Sequence, residues 1–213
     1  KKGCILCLLI SVISLPLIAQ NIIYSNLKEL LAQHGDTTAV LRVEKRSRNQ
    51  IVLTGGADYR ITAGDDESMC RRLKKRCFAV RDEKGNLYLN CRKLRYKKLR
   101  FGAWYAPAVQ LGKNIYFCAM PLGSVIGGNF VEEDDVKLGG NIGDALAASS
   151  LVTKRVCYEL NGETGKVDFL GKDRMLQLLK NYPELKQAYL KDDSQEAKHT
   201  FKYLLELQNK QKK

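Results

Sequence analysis

Residues 77–91, CFAVRDEKGNLYLNC, constrain the fold more than any other stretch of this chain. Two short apolar and β-prone runs flank Asp82-Glu83-Lys84-Gly85, and such runs around a glycine-closed turn read as an antiparallel hairpin. A type I turn with Gly85 in the left-handed region makes a three-residue loop. That register sets Asp82 opposite Asn86 and, counting outward, Cys77 opposite Cys91. The fifth step from a bonded closing pair falls on a non-hydrogen-bonded site, where α-carbons approach to about 4.5 Å, so the spacing admits a Cys77–Cys91 disulfide. Two buried free thiols are the alternative.

The hairpin runs directly into RKLRYKKLR, residues 92–100, with six cations in nine positions. Read as a strand, this run places Leu94 and Tyr96 on one face and Leu99 and Phe101 on the other. The switch predicts a bulge near Lys97-Lys98, a device of edge strands. The charge is local. Of a formal net charge of +13, residues 71–100 contribute +11 and the first two lysines the remainder, leaving the other residues neutral in sum. Such asymmetry suits an anionic partner. Equally, lysines and arginines along an exposed edge discourage strand pairing and need no ligand. The candidate anion-binding residues are Arg92, Lys93, Arg95, Lys97, Lys98 and Arg100, with Tyr88, Tyr96, Trp104 and Tyr105 as neighbouring aromatics that serve either as platforms or as core.

Location enters through residues 1–19. Two lysines precede an uncharged apolar run with Pro16 near its end and Ala19 closing it, the pattern of a secretory signal peptide, with an uncleaved anchor as the alternative. Export to the periplasm or beyond argues against nucleic acid as a partner. It favours anionic glycans or lipid head groups, and it would allow the thiols to oxidise. No later segment is long and apolar enough to span a bilayer.

Elsewhere, SNLKELLAQHG reads as a short helix after an exposed start, and AVLRVEKRSRNQIVLTGGADYRI as two or three strands with RSRN as a turn. Strands are also expected around GAWYAPAVQL and NIYFCAM, and a closing hairpin at 151–170. Three helices follow: one over DRMLQLLKNY, one opened by Pro183, and one from Asp193 with a capping-box Glu196 and an apolar stripe of Ala197, Phe201, Leu204 and Leu205. Residues 121–150 hold six glycines around an acidic knot. They read as a loop, or as close packing through small residues at Gly123/Gly127 and Gly139/Gly143. The fold class is α+β: an antiparallel β-rich region over 20–170 and a helical segment over 171–213, together one domain.

The stretch CYELNGETGKVDFLGKDRMLQLLKNYPELKQAYLKDD, followed by YLLELQ, resembles the C-terminal signature of an uncharacterised secreted family of Bacteroides-type bacteria, known only as a domain of unknown function. The resemblance is strongest over 156–207. It implies a bacterial, exported protein and carries no catalytic or binding residues.

Motifs for catalysis are absent from the sequence. GETGKV lacks the spacing of a phosphate loop and is followed by strand, not helix. VEEDD and GDDES lack the alternating ligands of a calcium loop. His34 and His199 belong to no nucleophile or metal pattern, and the cysteines at 70, 77, 91, 118 and 157 form no CxxC pair. No cofactor or metal is expected. The leading expectation is a non-enzymatic module whose basic surface meets an anionic envelope component. The alternatives are a structural protein packing through 121–150, or an enzyme with dispersed acids. If the signal reading is right, N-terminal sequencing of the exported protein should begin at or near Gln20, and recovery of the intact apolar run would refute it.

Overall fold

In the computed structural model, which describes residues 20–38, 41–121, 124–126, 129–131, 154–192 and 197–212, the 77–91 hairpin takes the expected register. Strand β5 (Ala79–Arg81) pairs with β6 (Leu87–Asn90), Arg81 opposite Leu87. The Asp82 amide donates to Asn86 O at 2.9 Å, and Gly85 sits at φ +82°. The Asp82 carboxylate closes the turn by accepting from the Lys84 and Asn86 amides.

This hairpin lies inside a ten-stranded antiparallel sheet. Its main path runs β14 (Val167–Phe169), β13 (Val156–Leu160), β10 (Asn114–Ala119), β9 (Tyr105–Leu111), β6, β5, β1 (Asn21–Tyr24) and β2 (Asp36–Thr38). A side branch of β3 (Arg42–Lys45) and β4 (Tyr59–Thr62) joins β9 through Tyr59 opposite Tyr105. Two small ladders stand apart, β7 (Arg95–Tyr96) with β8 (Leu99–Arg100), and β11 (Ser124–Ile126) with β12 (Asn129–Val131). The rest of 121–150, residues 1–19 and the proposed cap at Asp193 and Glu196 lie outside the described residues, as do the small-residue pairs.

The helices are α1 (Leu27–Leu31), α2 (Arg48–Thr54), α3 (Glu67–Lys75), α4 (Lys172–Leu178), α5 (Pro183–Lys191) and α6 (Ala197–Gln211). With the antiparallel sheet they make the fold α+β, the C-terminal helices following the strands. Alternation along the strands divides the core between the two sheet faces. On one face, Val109, Tyr116, Cys118 and Cys157 pack against Met175, Leu179, Leu204 and Leu207 of the C-terminal helices, and Val80 and Tyr88 pack with Leu73 of α3. On the other, Ala106, Ala108, Phe117 and Tyr158 pack with Leu30 of α1 and with Leu94, Tyr96 and Phe101. Among the described residues no helix is long and apolar enough to cross a membrane.

Several expectations are corrected. The start is not exposed, because β1 is a buried inner strand between β5 and β2. The apolar run after RSRN is helix, not strand. Ser47 and Gln50 form a capping box at its start, and that local signal outweighs the β-branched pair at Ile51-Val52. On α6 the buried stripe is Ala197, Tyr203, Leu204 and Leu207, while Leu205 is 40 % exposed. The basic run does not bulge. It turns back on itself, Tyr96 opposite Leu99 and Lys97 at φ +52°, which brings Leu94, Tyr96, Leu99 and Phe101 to one apolar cluster.

Cys77 and Cys91 are free, buried thiols on opposite sheet faces. The ladder ends before them. Cys77 leaves the C-terminus of α3 and stays with Leu73, whereas Cys91 opens a 3-10 turn, Cys91–Lys93, and joins the opposite cluster. Burial raises the Cys77 thiol to about 11 and that of Cys91 to about 12, so both stay protonated.

The α4 helix is docked by one charge-assisted pair. Arg174 donates to both oxygens of Glu159 at 2.8 Å, and Tyr116 and Asn114 donate to the same carboxylate. Arg174's hydrogen bonds hold the Glu159 carboxyl below the usual range against the opposing effect of burial. A depressed carboxyl contributes stability above its unfolded value of about 4.3, and that contribution is lost as pH falls through the folded value. Glu159→Gln should therefore cost about 1–2 kcal/mol at neutral pH. The gap to wild type should close on acidification below about pH 4, as read by denaturant unfolding at both pH values. A gap independent of pH would show that the charge is not what matters.

Candidate functional site

Arg46, between β3 and α2, is 7 % exposed, and its guanidinium is spent on neutral acceptors. One terminal nitrogen donates to Gly55 O at 2.8 Å and Ala57 O at 2.7 Å, the other to Gln50 O at 2.9 Å and to the Thr54 hydroxyl. It thereby satisfies the Gly55 and Ala57 carbonyls just past the end of α2 and adds a donor to that of Gln50 within it. Desolvation lowers its pKa and nearby Asp58 offsets this. The guanidinium lies 4.9 Å from the centroid of Trp104. A second cation, Arg60 of β4, lies 5.8 Å from the same ring.

Trp104 itself is held in an uncommon backbone conformation at φ +76°, which a bulky residue adopts only when its neighbours impose it. Those neighbours are visible. Ala57 N donates to Ala103 O, Cys91 N donates to Trp104 O, and Gly56 presses against the peptide between Ala103 and Trp104.

Around this ring lies a cavity of about 710 Å³. Its wall is one face of the β3–β4 hairpin, where the register sets Arg42 opposite Thr62 and Glu44 opposite Arg60. Lys74 comes from α3, Arg92 from the 3-10 turn, Asn90 and Tyr105 from the sheet, and Trp104 from the bend just before β9. Asn90 donates to Leu73 O and Cys77 O, and the Tyr105 hydroxyl donates to Leu73 O, so the end of α3 and Lys74 with it are tied to β6 and β9. The lining has four cations, Arg42, Arg60, Lys74 and Arg92, against Glu44 and Asp65. Arg42 and Glu44 form an exposed pair at 3.8 Å. Among the described residues, Arg60, Lys74 and Arg92 have no ion-pair partner.

Of the six cations of the basic run, Arg92 alone lines this cavity. Lys93 is exposed beside it in the same turn. Arg95, Lys97, Lys98 and Arg100 are exposed on the β7–β8 hairpin, where Arg95 stands opposite Arg100 and Lys97 reaches the Tyr96 ring at 5.6 Å. Tyr88, Tyr96 and Tyr105 are buried in the core, so of the four aromatics considered Trp104 is the half-exposed one. Arg42, Arg60 and Lys74 escape a sequence reading because they sit in separate elements without charge clustering of their own. Trp104 was visible as the chain's single tryptophan, but its backbone strain was not.

The arrangement holds cations in place without a partnered nucleophile and base. Among the described residues no three His, Cys, Asp or Glu side chains converge as metal ligands.

A Cβ at Gly56 would meet Ala103 O at 2.4 Å, whereas one at Gly55 would meet nothing within 4 Å, although both residues have positive φ. Gly56→Ala should cost at least about 2 kcal/mol and shift the emission of Trp104, while Gly55→Ala should cost about 1 kcal/mol and leave the emission alone. Equal effects of the two would show that the glycine contact does not hold the ring.

No curated protein and no solved structure matches the chain. A family model does match, over residues 22–211, and so takes in the β-rich region and cavity as well as the C-terminal stretch. The chain therefore belongs to DUF6563, a family of unknown function.

Proposed function

We propose that the protein is a binding module for an anionic glycan or lipid head group, exported to the cell envelope, with the Trp104 cavity as its site and the basic hairpin as its approach surface. The observation that carries this reading is the convergence of Arg60, Lys74 and Arg92, lacking ion-pair partners among the described residues, on a cavity beside a strained tryptophan. Strain of that kind persists where surrounding structure imposes it, and it clusters at binding sites. The volume falls within the range of small-ligand sites. Trp104 orders Arg60 before a ligand arrives, which reduces the entropy lost on binding. The exposed Arg95, Lys97, Lys98 and Arg100 add a local positive field that raises the encounter rate more than the affinity.

The test is a titration of the full chain with a sulfated tetrasaccharide and, separately, with phosphatidylglycerol vesicles, followed through Trp104 fluorescence. Arg60→Gln and Lys74→Gln should each weaken binding by about tenfold, as expected for one charge-assisted hydrogen bond. The Arg95→Gln/Lys97→Gln/Arg100→Gln variant should chiefly reduce the association rate and its dependence on salt. If no anionic probe changes the fluorescence at low salt, or if both cavity variants bind as wild type does, the reading fails and the basic run is a solvated edge.

A further inference from the structure

A second feature lies away from the cavity, on the sheet face covered by the C-terminal helices. Cys118 of β10 and Cys157 of β13 stand directly opposite each other on neighbouring antiparallel strands. The kind of pairing follows from the far side of β13. Leu170 N donates to Cys157 O at 2.9 Å and Asn161 N donates to Lys166 O at 2.9 Å, so the odd-numbered residues of β13 point their peptide groups towards β14. Their pairing with β10 is therefore of the non-hydrogen-bonded kind, the close-approach site of an antiparallel ladder. At such a site α-carbons fall within the span a disulfide bridges. Both side chains belong to the same apolar cluster, and both thiols reach one acceptor, the Ala197 carbonyl at the start of α6, at 3.7 and 3.4 Å. These two thiols thus meet the geometric requirement that Cys77 and Cys91, on opposite faces, do not.

We propose that Cys118 and Cys157 form a reversible cross-strand disulfide, and that its formation loosens the docking of α6. The oxidant class is a small-molecule disulfide. One thiolate of the pair attacks a sulfur of the oxidant and expels one of its halves as a thiolate, leaving a mixed disulfide. The second cysteine's thiolate then attacks the protein sulfur of that mixed disulfide and expels the other half. The protein gains one S–S bond and gives up two protons and two electrons. The oxidant's S–S bond breaks and takes up both, leaving as two thiols. The bridged sulfurs have no S–H to donate, so the Ala197 carbonyl loses its thiol donors and the first turn of α6 loses an anchor.

Both thiols are nearly inaccessible, at 6 % and 3 % exposure, and burial raises the Cys118 thiol well above its ordinary value. Exchange is consequently slow in the closed protein and runs through opening of the α6 start, unlike the fast exchange of exposed low-pKa thiols.

The test equilibrates the full chain with oxidised and reduced glutathione, with and without a sub-denaturing urea concentration. Free thiols are then alkylated under denaturing conditions and the protein is digested without reductant. The expected product is one linked fragment containing Cys118 and Cys157, formed faster in urea and reversed by dithiothreitol. It should persist in Cys70→Ser and Cys77→Ser variants and vanish in Cys118→Ser and in Cys157→Ser. Full alkylation of both residues after oxidation in urea, or their recovery in links to other cysteines, would overturn the assignment. Hydrogen exchange separately reads the coupling: amides early in α6 should exchange about fivefold faster in the oxidised protein, as expected for loss of one hydrogen bond. Equal exchange in the two redox states would remove the coupling even with the bridge present.

Discussion

A buried guanidinium is costly to desolvate unless its donors are met, and Arg46 meets them with main-chain carbonyls of the very segment that surrounds it. That choice of partner has structural consequences. The chain from Gln50 to Ala57 must curl around one side chain, which ends α2 and turns Gly55 and Gly56 into left-handed geometry. Gly56 then closes on the Ala103–Trp104 peptide, and the Trp104 ring comes to rest beside the guanidinium. One edge of the cavity, at Thr54, Ala103 and Trp104, is therefore set beside this cation. Removing Arg46 would take a donor from the Gly55 and Ala57 carbonyls together, while that of Gln50 keeps the Thr54 hydroxyl, so the loss is spread over one continuous loop rather than a single bond.

The interaction also reaches across the sheet. Arg46 N donates to Asp58 O at 2.7 Å, and the Asp58 carboxylate receives Arg155, whose Nε lies 2.9 and 3.1 Å from its two oxygens. Arg155 directly precedes β13. A single aspartate thereby joins the β3–β4 branch, which holds the cavity, to the strand that carries Cys157. With both side chains under a fifth exposed, the pair fixes geometry more surely than it adds net stability.

How much of this could be read from the residues depended on the range of the signal. The Asp82–Gly85 turn and the alternating strands beside it are local, and their register followed from counting. The β13–β14 hairpin and Pro183 as a helix start were legible for the same reason. Helix α2 differs from the expected strand because Ser47 and Gln50 form a capping box within RSRNQ, a helix start that outweighs the β-branched pair at Ile51-Val52. The basic run differs from the expected bulged strand for another reason. The change of apolar face between Tyr96 and Leu99 follows from a reversal of the chain without a bulge, since residues opposite one another across a two-residue turn share a face. Register aligns residues only while both strands continue, and the β5–β6 ladder ends before Cys77 and Cys91, which pack on opposite faces. Cys77 still belongs to the exit from α3, a fact set by tertiary packing against Leu73.

The site was least legible because its cations come from four elements, and because a charged side chain does not declare whether it serves the fold. The structure shows which cations have internal acceptors. Arg46, Arg155 and Arg174 are each matched by internal acceptors: carbonyls for the first, Asp58 for the second, Glu159 for the third. Arg60, Lys74 and Arg92 face a cavity and, among the described residues, have no acidic partner. Arg95 opposite Arg100 goes further, since like charges set across a ladder repel each other. Solvent screens that repulsion on an exposed hairpin, so the arrangement is tolerated, but it contributes nothing to holding the hairpin together. The β7–β8 turn is secured instead by the apolar face of Leu94, Tyr96 and Phe101 beneath it. The charges of its outer face thus contribute little to the hairpin's own cohesion, which rests on the apolar side beneath.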